Sequence, residues 1–344
     1  MPADDILLLP PEVDPVAPCA AGALLAFGGA IFGTSWMVRL VVEQERAEQA
    51  QAAPGTGWRE ELQRRCEAEL SRIDRQMSPW IGESDLCRYN ALAHGQSMAL
   101  PQPMRTVVGH ALAVADDTGG AFDPFLGAVT DLWGFGPVAV AEGLADPGEC
   151  ARLTDLRGGD RPDWDGERLG RRDGFRLDLC GIAKGYAVDA LLDLLRAVPG
   201  VQAALVEIGG EAKGHGVKPD AMPWWVELEW PGALGEGRMV VALHGWACAS
   251  SGSDVRFFDH QGRRYSHSMD PATATPSASD LRGVTVLARA CWQADALATA
   301  LFVMGGEAAL AFSDSRAIPC MLLPARAGAS PLLSARMKDW IAHG

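Results

Sequence analysis

A basic excess is missing from this chain. Its 344 residues carry 30 Lys and Arg against 44 Asp and Glu, a formal charge of −14. That balance argues against nucleic acid as a partner, because phosphate backbones are held by basic patches, and against adsorption to an anionic membrane face. An anionic ligand would need local donors, a helix start or a metal ion. Zinc spacing is missing too. The eight cysteines are scattered, with no CxxC pair and no Cys/His cluster, and read as reduced, partly buried thiols. No internal repeat, low-complexity tract or obvious linker divides the chain. Pro15 to Val38 carries no charge, which raises the question of a membrane span. The preceding residues, however, include acids and no Lys or Arg, unlike the basic start of a signal peptide. Leu24 to Val42 reads instead as buried strands around a Gly28-Gly29 turn, and a cytoplasmic location without a transmembrane span is expected.

What is present suits a globular protein: 48% apolar and 22% charged residues leave enough for a sizeable core. Residues 1–20, rich in Pro and acids, read as an irregular lead-in, and 21–344 as a single domain. Leu62, Cys66, Leu70, Ile73 and Met77 step at helical period, which predicts a helix over 59–80 lying on a core and ended by Ser78-Pro79. Residues 81–105 read as polar loop, 106–117 as a short helix, 119–137 as a shaped loop with buried rings, and 140–176 as loops with short elements. Phe175 to Leu179 reads as a strand, followed after Cys180-Gly181 by a helix that Pro199-Gly200 stops. Strands are expected at 203–208, 224–230, 238–249 and 281–289, with a PGALGEG turn in the middle, and a helix at 292–304. Strands and helices without strict alternation point to α+β, with mainly antiparallel sheets flanked by helices.

Three constellations carry chemistry. In Asp178-Leu179-Cys180-Gly181-Ile182-Ala183-Lys184-Gly185 a strand passes through glycine into a helix, whose start attracts phosphate, and Lys184 adds a point charge. The spacing is not that of a P-loop. In Ala294-Asp295-Ala296-Leu297-Ala298-Thr299 the acid and the hydroxyl are four apart and share one helix face. Two oxygen donors, one anionic, suit a hard cation such as Mg²⁺. In Ser250-Ser251-Gly252, followed by His267-Ser268-Met269-Asp270-Pro271, His267 has the reference pKa of a general base near neutrality. Each reading has an ordinary counterpart: a solvated lysine, a surface Asp, a loop histidine. Among the eleven tryptophans, Trp133 in a glycine-rich segment is the candidate for lining a planar ligand.

Together and in this order, the motifs resemble the ApbE family of FAD:protein FMN transferases. The resemblance begins at Phe32-Gly33-Thr34-Ser35-Trp36, passes through Ser84 to Asn90, Gly120-Ala121-Phe122-Asp123-Pro124 to Trp133-Gly134-Phe135 and LDLCGIAKGYAVD, and continues with Val206-Glu207-Ile208-Gly209-Gly210-Glu211. It closes on Ser251-Gly252, His267 to Pro271 and ADALATALFVMG. It covers roughly residues 24–306. It implies an ApbE-like fold with FAD in a central cleft, and Mg²⁺ held by Asp295, Thr299 and the carbonyl of Ala183. Lys184 and Gly181 would sit at the diphosphate, with Gly209, Gly210, Ser251, Asp123 and Trp133 around the nucleotide. His267 would take the acceptor proton, and Asp178 is a second acid near the reaction centre. The implied reaction moves FMN from FAD onto a Ser or Thr hydroxyl of an acceptor flavoprotein and releases AMP. Water as acceptor would make an FAD diphosphatase, and loss of chemistry a flavin-binding protein. Two departures stand out: Cys180 occupies a usual glycine position, and Pro271-Ala272-Thr273-Ala274-Thr275 replaces a Pro-Arg-Thr-Gly segment.

Overall fold

The computed structural model describes residues 5–10, 22–51, 57–137, 144–228, 238–254, 256–326 and 328–341. Its centre is an eight-stranded sheet, antiparallel at every pairing. The spatial order is Leu332–Leu333, Cys320–Pro324, Leu281–Ala288, Ala247–Gly252, Glu211–His215, Val201–Ile208, Thr34–Glu43 and Gly22–Ile31. Side chains alternate along these strands, and both faces are buried. Val38, Leu40, Val206, Ile208, Ala249 and Val286 face the helices. Val41, Leu205, Cys248 and Leu287 face the opposite way, onto Trp224, Leu243 and Trp340.

That second face is covered by a smaller sheet in which Trp224–Leu228 pairs antiparallel with Met239–Leu243, and Ile6–Leu8 pairs parallel with Met239–Leu243. A strand thus stands within the stretch the sequence reads as irregular. Leu8 is fully buried, an apolar anchor that periodicity over three residues does not reveal. The strand expected at 238–249 is two strands in two sheets, broken at His244-Gly245. The PGALGEG turn lies outside the described residues.

The helical layer carries the expected stripe: in Trp58–Met77 the residues Leu62, Cys66, Leu70, Ile73 and Met77 are buried, each aliphatic one worth roughly 1.5–3 kcal/mol by transfer. Met104–Asp117 follows as read. Asp85–Asn90 forms a helix inside an expected loop, capped by Ser84, whose hydroxyl accepts from the Cys87 N–H at 3.0 Å. Gly127–Leu132 and Pro147–Arg157 are also helical. Among the described residues Phe175 to Leu179 makes no ladder, only a bridge at Arg176 to Leu126, and its backbone groups pair instead with the Gly127 N–H, the Asn90 side chain and the Pro124 carbonyl oxygen. The first hairpin turns at Phe32-Gly33, not at Gly28-Gly29. The latter pair lies inside the strand opposite Met37 and Trp36, where the Trp36 ring packs against Gly29. No helix among the described residues is long and apolar enough to cross a membrane.

Two helices matter most for the site. Ala183–Arg196 and Cys291–Met304 cross at Gly185, where an added Cβ would lie 2.4 Å from the Cys291 carbonyl oxygen and 2.7 Å from the Trp292 Cα. Backbone cannot yield as a side-chain tip does. Gly185→Ala is therefore expected to cost about 3 kcal/mol or more, read as a lower urea midpoint at unchanged m. Stability equal to wild type would show that the helices part freely.

Candidate active site

An open cleft lies where the ends of the central strands meet these helix starts and a small lobe built on Val129, Trp133, Phe135, Leu153 and Met269. One wall is polar and buried. Asp295, 5% exposed, accepts from the Gly185 N–H through Oδ2 at 2.9 Å. Thr299 lies one turn on, with its hydroxyl against the Gly181 turn, where an added Cβ would meet it at 3.2 Å. Lys184 reaches Glu211 Oε1 at 2.5 Å. Burial works against the Lys184 ammonium, but Glu211 and Asp295 outweigh it and hold its pKa above the usual value. Burial also pushes the Glu211 carboxyl up to about 8, against the pull of Lys184 and with the push of Asp295. The Asp295 carboxyl is raised by burial in the same way.

Two carboxyl groups thus surround one ammonium, and Glu211 Oε2 is buried without any hydrogen-bond partner. Such an orphan costs free energy unless a donor or cation meets it. No group of three His, Cys, Asp or Glu able to hold a metal occurs among the described residues. The oxygen donors here are the carboxyl groups of Asp295 and Glu211 and the hydroxyl of Thr299, all hard. They fit a hard divalent cation.

His267 also lines the cleft. Its Nδ1 lies 3.2 Å from the Arg256 carbonyl oxygen. A carbonyl only accepts, so Nδ1 carries the proton and the neutral ring presents the Nε2 lone pair. Burial lowers the imidazole pKa from its ordinary 6.5; the hydrogen bond to Arg256 and the charge of Asp178 oppose that, and the charges of Arg256 and Lys184 reinforce it. The net shift is downward, so the ring is neutral at pH 7. Asp178 accepts from the Cys180 N–H through Oδ1 at 2.9 Å and from the Thr130 hydroxyl at 3.3 Å.

The sequence-derived candidates divide. Asp178, Gly181, Lys184, Gly209, Ser251, Asp123, His267, Asp295 and Thr299 all line the cleft. Ala183 starts the helix beside Lys184. Asp123 is already engaged, in an ion pair with buried Arg157 and with the Phe125 N–H at 2.8 Å, so it braces the wall. Gly209 and Gly210 have φ of 61° and 103° and make the two-residue turn between paired Ile208 and Glu211, a conformation glycine adopts without strain. The Gly210 N–H donates to Glu207 Oε1 at 2.7 Å, and Gly210 is not on the cleft surface. Neither is Trp133, 9% exposed, whose indole N–H donates to the Ala274 carbonyl oxygen at 3.0 Å. Trp80 and Phe135 supply aromatic surface instead. The amides at the helix start are mostly taken: Ala183 donates to Leu179, Gly185 to Asp295 and Tyr186 to Ile182. Ala274, standing where the family segment has glycine, holds φ 52° fully buried.

Sequence reasoning missed Glu211, Arg256 and Trp80. Glu211 closes the Val206-to-Glu211 motif directly after the Gly209-Gly210 pair, and an acid at that turn is the signal that could have found it.

An α+β scaffold that opens on a cleft lined by a carboxyl–ammonium cluster and a neutral imidazole is the layout of an enzyme. The chain belongs to the ApbE family, whose model matches residues 32–322. It is similar to an FAD:protein FMN transferase of Vibrio cholerae, 31% identical over 297 residues covering 86% of each chain, and to one of Haemophilus influenzae, 31% identical over 78% of this chain and 80% of the relative. The apo form of Pseudomonas stutzeri flavinyl transferase ApbE superposes with a TM-score of 0.83 at 32% identity, covering 94% of this chain and 98% of that one.

Proposed function

We propose that this protein transfers FMN from FAD onto a Ser or Thr hydroxyl of an acceptor protein, releasing AMP, with Mg²⁺ held by Asp295, Thr299 and the Ala183 carbonyl. The observation that carries the reading is the convergence of Lys184, Glu211, Asp295 and Thr299 on one cleft wall, in a chain of this family. Bound there, a divalent cation would neutralise charge on diphosphate oxygens. Lys184 holds a phosphate oxygen electrostatically, and Glu211 fixes the direction of its ammonium. The Nε2 of His267 takes the proton of the incoming hydroxyl as its oxygen bonds to the FMN phosphorus. The bridging P–O bond then breaks, and that oxygen leaves with AMP. Asp178, facing His267, stabilises the imidazolium so formed. The cleft draws on residues from Pro79 to Thr299, which supports treating that stretch, inside the proposed domain 21–344, as one working unit.

The test is incubation of the purified protein with FAD and an acceptor flavoprotein, with Mg²⁺ or EDTA, followed by nucleotide chromatography and acceptor mass. AMP release with an FMN-sized mass gain, abolished by EDTA, is expected. AMP with free FMN and no mass gain would make the enzyme a diphosphatase, and intact FAD throughout would make it a flavin-binding protein.

A further inference from the structure

Three cations line the cleft: Lys184, Arg176 and Arg256. Two of them have an acidic side-chain partner, Lys184 in Glu211 at 2.5 Å and Arg176 in Asp131 at 2.6 Å. Arg256 meets no carboxylate among the described residues. Its guanidinium donates to the Phe135 carbonyl oxygen at 2.8 Å and lies 5.5 Å from the centre of the Trp80 ring. One hydrogen bond to a neutral acceptor leaves most of its five N–H donors unused.

Its position is set by the backbone that sets His267. The Arg256 carbonyl oxygen accepts from both the His267 N–H, at 3.0 Å, and the imidazole. The uncompensated guanidinium and the imidazole therefore leave one anchored point in the lining of the cleft that Asp295 and Thr299 also line. The neighbouring 271–275 segment, Pro-Ala-Thr-Ala-Thr, supplies no cation of its own. In a chain of net charge −14, an unpaired arginine held at a cleft wall by a carbonyl and an aromatic ring is poised for an anion from solution.

We propose that Arg256 is an anion-binding residue of the active site, grasping the non-bridging oxygens of the phosphoryl group next to His267, the one that is transferred. This deepens the flavin-transfer reading and rests on it. Guanidinium suits this role because its planar fork matches two phosphate oxygens at once. A donor waiting where charge develops stabilises the transition state more than the ground state. The carboxyl-rich cluster, through its cation, and Arg256 would then share the diphosphate.

The experiment compares wild type, Arg256→Gln and Arg256→Lys, each first shown folded by thermal unfolding. Binding of FAD, riboflavin and inorganic diphosphate is measured by calorimetry or fluorescence with Mg²⁺ present, and the FMN-transfer rate is followed in parallel. Expected for Arg256→Gln are roughly ten-fold weaker FAD and diphosphate binding, unchanged riboflavin binding, and a transfer rate lower by about 10²–10³-fold. Arg256→Lys should recover the affinity better than the rate, because a point charge lacks the fork. Equal weakening of riboflavin and FAD would overturn the proposal and reduce Arg256 to a wall residue. So would wild-type affinities and rate in Arg256→Gln. If wild type cleaves no FAD, the transferase reading fails on its own, while the diphosphate affinities of the three proteins still decide the role of Arg256.

Discussion

Asp295→Asn is expected to lower FMN transfer by about 10³-fold or more and to remove its magnesium dependence. The amide keeps the size of the carboxyl group and can still accept from the Gly185 N–H, now at 2.9 Å from Oδ2, so the crossing of the two helices survives. What is lost is the charge. A divalent cation at such a site supplies several kcal/mol of transition-state stabilisation, and each 1.36 kcal/mol is ten-fold in rate. Asparagine is the better variant than alanine here. Alanine would leave a buried N–H unpaired, at a cost of about 1–3 kcal/mol, and would mix stability with catalysis. The checks are the transfer rate as a function of Mg²⁺ and the binding of Mg²⁺ by calorimetry. A fast, magnesium-dependent Asp295→Asn protein would remove this carboxylate from the metal site.

His267→Ala should slow transfer by about 10²–10⁴-fold, the usual worth of general-base assistance, while FAD affinity changes little. The backbone N–H of residue 267 keeps its bond to the Arg256 carbonyl oxygen, so the loop is retained. The pH profile separates catalysis from structure. Only the neutral ring can take a proton. The folded pKa lies below the ordinary 6.5, chiefly through burial and the charges of Arg256 and Lys184, with Asp178 pulling the other way. Wild-type activity should therefore persist as pH falls through 6.5 and decline only below it. The variant should lose that acid limb and keep its residual rate flat across the same range. An unchanged rate, or an acid limb that survives in His267→Ala, would assign the base elsewhere, with Asp178 the next group to test.

Both experiments act on groups legible in the sequence, His267 through its residue type and motif and Asp295 through periodicity. Asp295 and Thr299 stand one helical turn apart, and the buried stripe from Leu62 to Met77 repeats at the same period. Each lies within a window a single element spans. The hairpins were legible less well. The Gly28-Gly29 pair reads as a turn, yet the reversal falls on Phe32-Gly33, because glycine serves equally for a turn and for the close approach of the Trp36 ring. Trp133 reads as a ligand platform, yet it seals a small core with its N–H spent on Ala274.

By itself the sequence determined the α+β class, the core-facing helix, the hydroxyl and carboxylate of the Asp295 turn, and the order of motifs that marks the family. Tertiary structure alone decided which charges meet. Asp295 reaches the Gly185 amide across 110 positions and Lys184 finds Glu211 across 27. Among the described residues Arg256 is left without a carboxylate while Lys184 and Arg176 are matched. The physical reason is that helix and strand propensities act over a few residues, whereas desolvation and ion pairing depend on what packing brings within a few ångströms. A carboxylate such as Glu211 is ordinary in sequence and becomes a site residue only once the fold has taken it out of water.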